Sequence, residues 1–157
     1  METGPVPPKG LHVHDIGWYL DFVSKNRFNA IRIPLNVADV RNNTIVDFRN
    51  SRAAEPELRF SGIRYLDLLH ELAQRAAERN LLIMPVFNRI ERKATTVEDG
   101  GGLWYTGTTT EEDVTRAWEK VAEVLCPDWN VFAFDLFDDL VGCPPTPPLA
   151  HPPHPYP

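Results

Sequence analysis

Apolar residues recur at spacings of three and four in three stretches of the chain, and each stretch runs into a short segment that is apolar almost throughout. In the first, Ile16, Tyr19, Leu20 and Val23 define one face of a helix over 16–26, with the Asp15 carboxylate placed to cap its start. The run 28–34 that follows reads as a buried strand ended by Pro34. Leu66, Leu69, Leu72, Ala73 and Ala76 then predict a helix over 63–80, and the apolar run after it predicts a strand over 81–88. The third pair is a helix over 111–126, striped by Val114, Ala117, Trp118, Val121 and Leu125, and a strand over 130–138. Acid groups at Glu111, Glu112 and Asp113 suit the first turn of that helix. Helix and strand alternate three times, which predicts an α/β fold with parallel strands joined by helical crossovers.

Between these elements the chain is polar. Residues 35–60 read as one long loop, a length that in a compact domain marks function or disorder. Asp99-Gly100-Gly101-Gly102 marks another loop. The final stretch, 143–157, is more than half proline and reads as a disordered or polyproline II tail, and 1–9 reads as a flexible N-terminus. The folded domain is thus expected over 10–142.

Composition narrows the partners. With 43% hydrophobic and 24% charged residues the chain has the balance of a soluble globular protein. A formal charge of −6 with no basic stripe argues against nucleic acid and against anionic membrane. No stretch has the roughly 18 uninterrupted apolar residues a membrane span needs, and the N-terminus lacks the pattern of a secretory signal. Cys126 and Cys143 lack zinc-site spacing; they read as two unpaired thiols, or as one packed thiol and one in the tail, with a disulfide open only to a secreted chain. His12 and His14, like His151 and His154, have no carboxylate or thiolate constellation beside them, so no metal and no cofactor are expected.

Four segments, read in order, resemble the cellulases of glycoside hydrolase family 5. Residues 26–34 (NRFNAIRIP) are similar to the family's second strand, and Leu68-Leu69 through Arg79-Asn80-Leu81 to the helix leading into its third. Leu103-Trp104-Tyr105-Thr106, ahead of Ala117-Trp118, resembles a run of the endoglucanase branch. Residues 127–140 (PDWNVFAFDLFDDL) align with the fourth strand, which in the family ends in Asn-Glu-Pro. The resemblance implies a partial (β/α)8 barrel, the N-terminal half only, since a complete barrel takes about 250 residues. It also implies a β-glucan or oligosaccharide as ligand and the hydrolysis of β-1,4-glycosidic bonds as the ancestral reaction. The family is mostly secreted.

The same alignment predicts lost chemistry. Retaining glycosidases set two carboxyls about 5–5.5 Å apart. Here the acid/base Glu position holds Asp139, and no seventh strand supplies the nucleophile. A carboxyl withdrawn by one bond length is costly, because a misplacement of about 1 Å can cost about a hundredfold in rate. The neighbouring Asn position holds Asp138, whose side chain should point away from that of Asp139 on a regular strand. The sugar-facing His position holds Asn88. Arg32 matches the arginine that braces the family nucleophile; on a buried strand it needs a partner, and Asp135 is the expected one. Trp104 and Tyr105 are placed either to stack on sugar rings or to cover the top of the sheet, while Trp18, Trp118 and Trp129 read as packing residues. Three parallel strands with helices on one side leave the inner sheet face uncovered, which predicts loose packing, self-association or the need of a partner. A catalytically silent remnant is the expected state, against an endoglucanase rebuilt from two half-barrels or a sugar-binding remnant.

Overall fold

The computed structural model describes residues 14–46, 62–90 and 103–138. Along them run α1 (Ile16–Lys25), β1 (Ala30–Asn36), α2 (Val37–Asn42), α3 (Tyr65–Ala77), β2 (Leu82–Arg89) and α4 (Glu111–Leu125). The flexible N-terminus, the proline-rich tail, Cys143, His12, His151, His154 and Asp139 lie outside the described residues.

α1, α2 and α4 each start where the sequence offers a side-chain cap, whereas Arg64 before α3 makes no capping hydrogen bond. Asp15 accepts from the Trp18 amide at 2.7 Å and opens α1. Thr110 and Asp113 form a reciprocal capping box at α4, each side chain accepting from the other's backbone amide. Asn80, with φ at 55°, turns the chain from α3 into β2.

β1 and β2 pair in parallel, Ala30 opposite Leu82 and Leu35 opposite Phe87. All helices pack on one side of this sheet. The core between them holds Leu20, Leu35, Ile83, Phe87, Ala117 and Val121, with Trp118 against Phe87 at a ring separation of 4.2 Å. Arg79 Nε donates to Asp21 at 2.6 Å and ties α3 to α1. At the N-terminal end of the sheet, buried Asn130 donates to the carbonyls of Ala73 and Leu81, both at 3.0 Å. Nearby, buried Asp128 accepts from Gln74 and meets His70 Nδ1 at 3.0 Å.

Four expectations change. The third strand, expected over 130–138, runs parallel beside β2 but is held only by bridges, Ile83 with Val131 and Val86 with Asp135. Extra residues interrupt its ladder, as described below. The loop expected over 35–60 contains α2, because Asn36 caps it by accepting from the Asp39 amide and because Val37, Ala38 and Val40 have a core to enter. Beyond α2 the chain is pinned at a neck: the Val46 amide donates to the Ile63 carbonyl and the Gly62 amide to the Val46 carbonyl, both at 2.8 Å. β1, expected to be buried, is buried only at Leu35, since Ala30, Arg32 and Pro34 look onto the open side. Finally, Trp18 and Trp129 are exposed and not packed inside; Trp18 instead stacks between His14 and Phe22 on the surface.

Candidate functional site

Arg32, Asp135 and Asp138 meet on the open face, whereas Asn88 stands at the end of β2 and Trp104 and Tyr105 lie in the loop before α4. Side chains alternate across a sheet, so Arg32 and its register partner Met84 share the face that the helices do not cover. Residues 131–138 would regularly advance two positions for every two of β2. They do not. The Phe132 amide donates to the Ile83 carbonyl, the Asp135 amide to Pro85, and the Asp138 amide to Phe87, so three residues advance against two, twice. Such bulges re-aim side chains. Val131 shares the helix side with Ile83, yet Asp135 lies beside Val86 on the open side, next to Arg32.

Arg32 thereby receives two carboxylates. Its Nη2 meets Asp135 Oδ2 at 2.5 Å and its Nη1 meets Asp138 Oδ2 at 2.9 Å. The hydrogen bond to Asp138, then that to Asp135, holds the guanidinium above even its ordinary high pKa. All three side chains remain between three and four tenths exposed, so water screens the cluster. Asp135 is the expected partner; Asp138 is a second one that a regular strand would not have delivered.

Asn88 and Arg89 stand exposed at the end of β2. The register with β1 skips Asn88, pairing Leu35 with Phe87 and Asn36 with Arg89, so a further irregularity sits at that position. Trp104 and Tyr105 meet edge to face, their rings 5.6 Å apart. Trp104 also packs against the hydrophobic core, so one part of its ring covers the fold and the rest is open. Their loop is closed by Thr106, whose hydroxyl accepts from the amides of Thr108 and Thr109. Sequence reasoning missed a buried neighbourhood under α2, where burial pushes the Tyr65 phenol above its ordinary value and the Asp39 carboxylate adds to the shift. The capping pattern of Asn36 with an acid three residues later was its one legible sign.

No protein-family model matches the sequence, and no curated protein matches it. Solved structures do. An endocellulase from Pyrococcus horikoshii, solved with cellotetraose, matches 88% of this chain at 26% identity and a TM-score of 0.70, over 35% of its own length. The fold is cellulase-like. A hyperthermostable endocellulase studied for its disulfide bond matches 87% of the chain at 28% identity and a TM-score of 0.68, over 35% of its length. A cellulase–inhibitor complex matches 87% at 27% identity and a TM-score of 0.69, again over 35%. The cellulase-like chain therefore spans about a third of the length of these proteins.

Proposed function

We propose that this chain is an N-terminal portion of a glycoside hydrolase family 5 barrel that holds β-1,4-linked oligosaccharide without cleaving it. The observation that carries the reading is the state of Arg32. In the family pattern this arginine braces the nucleophile's carboxylate; here both ends of its guanidinium are taken by Asp135 and Asp138. Asp138 occupies the position the resemblance aligns with the family's Asn, and Asp139 that of the acid/base Glu. A carboxylate bound to Arg32 has no hydrogen to donate to a sugar, so the exchange at Asp138 replaces an amide that can both donate and accept by a group that only accepts. Trp104 and Tyr105 keep an aromatic pair in the loop that precedes α4, and Asn88 keeps a polar group at the end of β2. Binding of cellotetraose by a solved neighbour with this fold supports the ligand class.

Calorimetric titration with cellotetraose tests binding. Saturable heat is expected, with Tyr105→Ala weakening affinity about tenfold, equivalent to about 1.4 kcal/mol. Trp104→Phe, which keeps a ring against the core, should weaken it less. Incubation of concentrated protein with carboxymethylcellulose should release no reducing sugar. Release that disappears in Asp139→Ala would overturn the silent state, and absence of saturable heat would remove the sugar ligand.

A further inference from the structure

The sheet has two open edges as well as an open face. Among the described residues, β1 pairs only with β2, and 131–138 bridges only to β2. Both edges are apolar. On the β1 side Phe28 is 61% exposed, and α1 turns Trp18 and Phe22 outward with their rings nearly parallel. Phe22 sits about 100° round α1 from Asp21, the residue that reaches α3 through Arg79, and so faces away from α3, with Trp18 on the outer side between the two. On the far side Trp129, Phe132 and Leu136 are exposed. There the flank of α4 turned away from α2 carries Thr115, Glu119 and Ala122, because Asp113 and Lys120 mark the flank that faces α2 through Arg41.

We infer that a second copy of this chain covers these surfaces, in a symmetric dimer whose two-fold axis runs along the strands. β1, β2 and 131–138 are all parallel. Rotation about an axis along them keeps every strand parallel and sets the β1 edge of each copy beside the 131–138 edge of the other. Both open edges of both copies are then used, and the interface closes on itself. An axis normal to the sheet would join like edges and leave the other pair open, and an axis across the strands in its plane would set like edges together in antiparallel pairs. Charge favours the same arrangement. Exposed Arg27 follows α1, and exposed Lys25, which also pairs with Asp21 at 3.7 Å, ends it, while exposed Glu119 and Glu123 occupy the last turns of α4. Parallel packing places these ends together, with Trp18 and Phe22 against the small side chains of Thr115 and Ala122. The inference does not depend on sugar binding, because association is read without saccharide.

Sedimentation velocity over a wide concentration range should show a species of twice the 17.8 kDa chain mass. Phe22→Glu on one edge and Ala122→Glu on the other should each return it to monomer with the helical circular dichroism unchanged. As a check that does not rely on disruption, Lys25→Cys in a Cys143→Ser background should oxidise against native Cys126, which is exposed, to a covalent dimer that Cys126→Ser abolishes. A monomer at every concentration would overturn the inference. So would a dimer that survives both glutamates, or one broken by Phe22→Glu alone, which would mean that α1 edges meet each other.

Discussion

The two faces of the sheet are made by alternate residues of the same strands, yet one is an interior and the other a surface. On the helix side Leu35, Ile83 and Phe87 are closed off from water. On the other side Ala30, Arg32 and Pro34 are exposed along β1, and Phe132 is exposed across β2 from them; Val86, in the middle strand, is buried. Alternation is a local property of the strand, whereas burial on each side depends on what lies across from it. The helix side is stabilised within the chain. The open side carries the candidate chemistry and waits for a partner.

The contrast should appear as a graded series of stabilities. Phe87→Ala, which empties a fully buried site against Trp118, should cost the most, about 3–5 kcal/mol in urea unfolding. A loss below about 1 kcal/mol would mean that the helix side is as loosely held as the open one. Asn130→Ala removes two buried hydrogen bonds to the ends of α3 and β2 and should cost about 1–3 kcal/mol. Thr110→Ala breaks the capping box of α4 and should cost about 1 kcal/mol. That box also sets a pH dependence. The Thr110 backbone amide first, then its hydroxyl, holds the Asp113 carboxyl below the ordinary carboxylate range. A pKa depressed by folding stabilises above the unfolded value, and the contribution is lost as pH falls through the folded one. The melting-temperature gap between wild type and Asp113→Asn should therefore be full near neutral pH and close in acid. At the small end, Phe132→Ser on the open face should change the stability of the dilute monomer by no more than about 0.5 kcal/mol. A larger loss would show that the open face packs within the single chain.

Much of this fold was legible because periodicity survives in long elements. The stripes of α1, α3 and α4 are the residues that enter the core, and the apolar runs are the strands beneath them. α2 escaped because six residues are too few to show a helical period, although its cap was visible. The bulges in 131–138 could not be read, since a bulge is defined by the partner strand and not by its own sequence. That limit reached the candidate site: Asp135 was found as a partner for Arg32, but the second carboxylate, Asp138, reaches it only through the irregular ladder. Trp18 and Trp129 were misread for a simpler reason. Aromatic residues bury most of their area wherever a surface is offered, and at these edges none is offered among the described residues.

The neck at Val46 and Gly62 has a consequence for engineering. Because the chain leaves and returns at hydrogen-bonded neighbours, and Gly62 takes a φ of 93° that other residues would resist, the ends of 47–61 are fixed by the domain itself. A flexible linker between two such fixed points can be lengthened at little cost, since doubling a flexible loop adds only about 0.6 kcal/mol of closure entropy. A reporter peptide or a second binding module could be spliced there with the sheet undisturbed, making the neck a socket for grafted function.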